Sequence, residues 1–198
     1  MQVVTLSPEE FDRHAAQLAH EVEAASVHFD AIIGVRRGGS IVCDAFLRHF
    51  PQSRYGARYD VTLQRPSTKR KQGRFARLLK LLPYPLLDRM RMAESIILSA
   101  RRRMQGAPPT ADVDIPEALC VTLKDKTAPE ILIIDDAIDS GDTLTAITNT
   151  LKKRNPATRI CIAVVTETTR HPSIRADYTL YRNRTLIRFP WSNDYKNP

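Results

Sequence analysis

Four aliphatic residues in a row, Ile131, Leu132, Ile133 and Ile134, run straight into two carboxylates, Asp135 and Asp136, and then into a polar turn, Asp139-Ser140-Gly141-Asp142-Thr143. An unbroken apolar run of this length, bounded by turn residues, suits a strand buried on both faces of a parallel sheet. From Thr143 to Leu151 the apolar spacing becomes helical. The acids and the turn therefore sit where a strand ends and a helix begins. Open α/β sheets bind ligands at that end, because the first turn of the helix offers unpaired N–H groups and a positive dipole end to a phosphate.

The residue types suit a sugar phosphate. Asp135 and Asp136 present four oxygens, able to accept from vicinal hydroxyls or to hold a hydrated Mg²⁺. Ser140, Gly141 and Thr143 suit a phosphate cradle, since glycine lets the backbone approach and the hydroxyls can donate. Asp139 is left as a candidate proton acceptor. The competing interpretation is an ordinary connection whose acids cap a helix. A second strand-like run, 31–35, leads into Arg36-Arg37-Gly38-Gly39-Ser40 and a helix-compatible stretch to Phe50. Paired glycines free backbone amides to face an anion, and Arg37 adds a charge with a fixed donor fork.

The string from Ile131 to Leu144 closely resembles the PRPP-binding motif of the type I phosphoribosyltransferases: hydrophobic strand, two acids, two apolar residues, then Asp-Ser/Thr-Gly-x-Thr. The resemblance covers residues 27–50 and 118–192. It implies an α/β fold with a mostly parallel central sheet and helices on both faces. It further implies a Mg²⁺-dependent glycosyltransferase of the pentosyl type, which moves the 5-phosphoribosyl group of PRPP to an acceptor and releases pyrophosphate. Carried over by position, Asp135 and Asp136 would hold the ribose hydroxyls and the metal. Asp139, Ser140, Gly141, Asp142 and Thr143 would hold the 5-phosphate, and Arg37, Gly38 and Gly39 the pyrophosphate. In the purine branch the acid at Asp139 would take a proton from the base nitrogen.

A third element, Arg184 to Trp191, is similar to the Ile-Val-Phe-Pro-Trp segment that closes small microbial purine phosphoribosyltransferases. Leu186 stands where those relatives carry a base-stacking aromatic. Their purine-contacting lysine is missing from the stretch 166–172, where Glu167 is a foreign charge and Arg170 the remaining donor to a purine carbonyl. Arg170, Leu186 and Trp191 are thus the acceptor-binding candidates, although Phe189, Pro190 and Trp191 suit the packing of a terminal strand equally well. Three functions stay open. They are transfer to a 6-oxopurine, in nucleotide metabolism; transfer to a non-nucleobase acceptor such as a glycan hydroxyl; and a non-catalytic PRPP-sensing regulator.

At 198 residues the chain is expected to form a single domain with an insertion at 60–125 acting as a helical, basic hood or lid. Between Arg65 and Arg103 stand twelve Lys and Arg against two acids, while the whole chain carries +8, so the remainder is slightly negative. Within that stretch a short helix is expected at 74–82, interrupted by Pro83 and Pro85. Leu86, Met90, Ala93, Ile97, Ala100 and Met104 then recur at helical spacing as an apolar stripe. The cations fit a solvated face first, attraction of a polyanionic substrate second, and a nucleic-acid or membrane surface third. Nucleic acid is disfavoured because few aromatics interleave with the charges.

No apolar run approaches the ~18 residues of a membrane span, and the amino terminus lacks a basic segment followed by an apolar one. Three scattered cysteines suggest neither a disulfide framework nor a zinc site. A cytoplasmic homodimer is expected. Ser7-Pro8-Glu9-Glu10 is a capping box opening the first helix. Further strands are expected at 55–63, 118–123, 159–165, 177–181 and 186–189.

Overall fold

The computed structural model describes residues 2–64, 82–105, 112–182 and 184–196. In chain order its elements are β1 (Gln2–Thr5), α1 (Pro8–Ala24), β2 (Phe29–Val35), α2 (Gly38–Leu47) and β3 (Tyr55–Gln64). Then come α3 (Tyr84–Gln105), β4 (Asp112–Asp114), α4 (Glu117–Asp125), β5 (Glu130–Ile138), α5 (Asp142–Arg154), β6 (Arg159–Glu167), β7 (Tyr178–Tyr181) and β8 (Thr185–Arg188).

Period-two alternation in the central strands decides the layering. On one face Ile32, Leu132, Ile134, Ala163 and Val165 join Phe11, Leu18 and Val22 of α1 and Val42 and Phe46 of α2. On the other, Ala31, Ile33, Ile131, Ile133, Ile162 and Val164 join Leu119 and Leu123 of α4 and Leu144, Ile147 and Leu151 of α5. A strand that buries both faces must be apolar throughout, which is why β5 reads as an unbroken aliphatic run. The six-stranded sheet has the order β4-β3-β2-β5-β6-β7. Every pairing in it is parallel except β3 with β4. The α/β architecture with helices on both faces is as expected from the sequence.

The chain leaves β2 for its neighbour β3 on one side and returns to β5 on the other. The helices that follow β2 and β5 cover opposite faces, so the carboxyl ends of these two adjacent strands open a crevice at a topological switch point. Apart from this sheet, β1 and β8 form a two-stranded parallel ribbon, with Gln2 opposite Thr185 and Thr5 opposite Arg188.

Three differences from the sequence expectation have physical causes. The stretch 118–123 is not a strand but the body of α4. Leu119 and Leu123 stand four apart, both wholly buried, and Pro116 precedes the first turn, so helix packing overrides the β-branched residues between them. The four-residue β1 was not anticipated, being too short to show alternation. α2 begins at Gly38 itself, so the glycine pair forms its first turn rather than a loop before it. The interval 60–125 starts inside β3 and includes β4 and α4, both integral to the sheet and its cover. The helix expected at 74–82 lies outside the described residues but for Leu82.

α3 is fastened by its first turns. Arg188, 1% exposed, donates to Asp88 at 2.6 Å, to Asp194 at 3.0 Å and to the Thr5 hydroxyl at 2.8 Å. Its guanidinium lies over the Tyr84 ring at 4.5 Å. Arg91 grips the same Asp194 with two nitrogens and reaches the Ile187 carbonyl. Buried charges persist only when paired and hydrogen-bonded, and these four side chains satisfy one another.

Candidate active site

The two turns singled out in the sequence meet at the switch point. β2 ends at Val35 and β5 is its direct neighbour, so the first turn of α2 lands against the acids of β5. The contact is backbone to side chain, and it is tight. A Cβ on Gly38 would lie 2.1 Å from an Asp136 carboxylate oxygen, and one on Gly39 would lie 2.7 Å from the Ile134 carbonyl oxygen. Only glycine leaves room for this approach. Arg36 and Arg37 stand exposed beside it.

β5 runs on past the acids and delivers the turn that opens α5. Gly141 caps that helix with a φ of 83°, the left-handed region that favours glycine, and an added Cβ would meet Ser173 Oγ at 2.8 Å. The Ser140 hydroxyl donates to Asp142 at 2.9 Å. Its carbonyl accepts from both the amide and the hydroxyl of Ser173, at 2.9 and 3.0 Å. The turn is thus pinned from outside, and the Asp142 amide donates to the Ser140 hydroxyl at 3.3 Å; a helix start is where phosphates are commonly received.

Asp135 is buried and Asp136 partly so. Burial, and then the charge of Asp136, hold the Asp135 carboxyl well above the usual carboxylate range. Burial likewise raises Asp136, with the charge of Asp139 adding to it against a hydrogen bond from Asp135. Two raised carboxyls side by side form a site short of positive charge or hydrogen-bond donors. Asp139 stands just beyond the end of β5, where its Oδ1 accepts from the Thr168 hydroxyl at 2.6 Å. Among the described residues no cluster of three or more metal-binding side chains occurs. The two aspartates suit Mg²⁺, which takes one or two carboxylates and completes its shell with water and phosphate oxygens.

The acceptor candidates stand on other elements, Arg170 just after β6 and Leu186 and Trp191 in and after β8. Leu186 sits in β8 opposite Val3 of β1. Trp191 stacks on Phe189 with ring centroids 4.6 Å apart and meets Phe11 of α1 edge-on at 4.9 Å, partly buried against the core. Arg170 is exposed, and its carbonyl accepts from Arg175. Glu167, buried at the end of β6, accepts from Arg175, Arg182 and the Ala176 amide. Its charge is met within the fold.

Sequence reasoning missed Asp60, Thr168 and Ser173. Asp60 stands midway along β3, opposite Gly34 near the end of β2, accepting from the Ser40 hydroxyl at 2.7 Å and from Arg58 at 3.0 Å, with Arg36 at 3.9 Å. It ties the start of α2 to the neighbouring strand. The signal was available for Thr168, a polar residue just past the carboxyl end of β6, the strand beside β5; Asp60, midway along β3, carried none. Cys43, buried behind this turn, has its thiol pushed up to about 12 by burial and is no nucleophile.

A family model described as phosphoribosyl transferase domain matches residues 7–197. No curated protein matches the sequence significantly. Among solved structures, a purine phosphoribosyltransferase from Pyrococcus horikoshii is 20% identical, with a TM-score of 0.59 over 100% of this chain and 97% of that one. A xanthine-guanine-hypoxanthine phosphoribosyltransferase from Helicobacter pylori is 16% identical, with a TM-score of 0.57 over 96% and 92%. A hypothetical protein from Neisseria gonorrhoeae with bound ppGpp is 18% identical, with a TM-score of 0.56 over 96% and 89%. At these identities the likeness is one of fold.

Proposed function

Since the chain belongs to the phosphoribosyl transferase domain family, we propose that it transfers the 5-phosphoribosyl group of PRPP to an acceptor, with release of pyrophosphate, at the junction of β2 and β5. The observation that carries this reading is the direct packing of Gly38 and Gly39 on Asp135 and Asp136. It sets two anion-receiving helix starts on either side of two carboxylates, which matches a ribose carrying one phosphate at C5 and two at C1.

In this reading Asp135 and Asp136 orient the ribose by accepting from its two hydroxyls. Ser140, Gly141, Asp142 and Thr143 seat the 5-phosphate at the start of α5, and Arg37, Gly38 and Gly39 receive the pyrophosphate. Bound Mg²⁺, held by Asp135 and Asp136, would supply charge neutralisation to the departing pyrophosphate. Asp139, fixed in orientation by Thr168, accepts the acceptor's proton as the new bond forms, acting by placement more than by basicity. The Lys and Arg of 65–103, seven of them at 65–81 and so outside the described residues, draw in the polyanionic donor by their charge.

The purine phosphoribosyltransferases among the fold neighbours support a 6-oxopurine acceptor. A second reading, transfer to a hydroxyl acceptor such as a glycan, is favoured by the acceptor segment: Leu186 takes the place of the stacking aromatic, and Trp191 is packed on Phe11 and Phe189. The deciding experiment is a pyrophosphate-release assay with PRPP and Mg²⁺ across hypoxanthine, guanine, xanthine and a panel of sugars. Turnover with any acceptor supports transfer. PRPP that fails to bind, or that binds equally well to Asp135→Ala/Asp136→Ala, overturns it.

A further inference from the structure

A turn that offers its backbone amides to an anion cannot also have them taken up by a cap of its own, so its shape must be held from elsewhere. No side chain caps α2, whose first turn follows Arg37 directly. What holds it is a carboxylate on the neighbouring strand. Arg36 and Ser40 bracket the glycine turn, and Asp60 of β3 reaches both. Its Oδ1 accepts from the Ser40 hydroxyl at 2.7 Å, and its Oδ2 lies 3.9 Å from Nε of Arg36. One residue on, the Val61 carbonyl accepts from the Arg36 amide at 3.0 Å. β2 leaves room for this meeting only because Gly34 has no side chain, since a Cβ there would lie 3.1 Å from Asp60 Oδ1 and 3.0 Å from the Ser40 Cα.

The clamp is braced from behind, and its charge is met. Arg58 donates to Asp60 Oδ2 at 3.0 Å through one nitrogen and meets Asp44, one turn beyond Ser40 on α2, at 2.8 Å through another. The first and second turns of α2 are thus tied to β3 rather than to their own strand. A bare carboxylate beside a pyrophosphate would repel it. Here Asp44 and Asp60 are balanced by the guanidiniums of Arg36 and Arg58. The Arg36 pair is long and exposed and adds little to stability, so the short bond to Ser40 carries the clamp. A fastening that served stability alone could sit anywhere along the helix. This one closes on residues 36 and 40, the two ends of the segment proposed to receive pyrophosphate.

We propose that Asp60 is a positioning residue for pyrophosphate: through Ser40 and Arg36 it sets the conformation in which Arg37, Gly38 and Gly39 receive the anion, without touching the ligand itself. This rests on the assignment of that turn to the pyrophosphate of PRPP. It is tested by calorimetric titration of the full chain with PRPP, pyrophosphate and ribose 5-phosphate, each with Mg²⁺. In Asp60→Ala the affinity for pyrophosphate and PRPP should fall on the order of tenfold, the range of one hydrogen bond to a charged group, with that for ribose 5-phosphate unchanged. Asp60→Asn, which keeps an oxygen for Ser40, should restore most of the loss. Ser40→Ala deletes the same bond from the other side and should reproduce it; should Asp60→Ala not fold, this variant carries the test. A merely structural role would weaken all three ligands alike. Unchanged pyrophosphate and PRPP affinity in the variants that fold overturns the clamp, as does an equal fall for ribose 5-phosphate or an Asp60→Asn no better than Asp60→Ala. Wild-type protein that binds neither PRPP nor pyrophosphate overturns the reading of the site itself, and the clamp with it.

Discussion

At Gly39 an added Cβ would lie 2.7 Å from the Ile134 carbonyl oxygen and 2.8 Å from the Asp135 Cα, backbone atoms that a paired strand cannot move aside. Gly39→Ala is therefore expected to cost about 1–3 kcal/mol of stability, read as a lower denaturant midpoint, and to abolish the thermal shift given by PRPP. The acid pair behind it has a pH signature. In the folded chain these carboxyls hold their protons more tightly than in the unfolded one. Their contribution is thus most favourable below about pH 4, the unfolded value, and declines as pH rises through the raised folded values. Asp136→Asn removes one of the two charges. In ligand-free protein at neutral pH it should raise stability by about 1 kcal/mol and flatten that decline in melts taken across pH, while weakening PRPP. A variant no more stable than wild type at neutral pH would contradict the assignment of strain to the pair.

Among elements, α3 and β8 depend on one buried side chain. Arg188→Ala would take from Asp88 its guanidinium partner and leave Asp194 to Arg91 alone, at a cost of about 3–5 kcal/mol in chemical denaturation. Here the pH sign is opposite. Burial pushes the Asp194 carboxyl up, but hydrogen bonds from Arg91 and Arg188 outweigh it and bring the carboxyl below its usual value. The stabilisation is therefore present above about pH 4 and is lost as pH falls through the depressed value, so the gap between variant and wild type should narrow in acid. None of this cluster was legible in the sequence, because Asp88, Arg91, Arg188 and Asp194 come together only through the fold. What could be read was local: the aliphatic run of β5, the capping box of α1, and the two glycine turns. The helical period of α3 was legible too. Its direction was not, since a period specifies a stripe and says nothing of where the core lies: Leu86, Met90 and Ile97 stand exposed.

For the whole molecule, the proposed ligand bridges the starts of α2 and α5, helices that pack on opposite faces of the sheet. Hydrogen exchange gives the check: PRPP should slow the amides at 38–42 and at 142–146 together, pyrophosphate only the first group, and ribose 5-phosphate only the second. Protection of one group by all three ligands would mean that the site does not span the switch point. The fold class followed from sequence because alternating strands and helices leave few topologies open. The β1–β8 ribbon did not, as two four-residue segments about 180 residues apart carry no mark of their pairing. That ribbon has a consequence for synthesis. Residues 2–5 leave the ribosome about 180 residues ahead of their hydrogen-bond partners at 185–188. The six-stranded sheet can assemble in order while β1 waits, its backbone at Val3 and Val4 without a partner strand until β8 has been made.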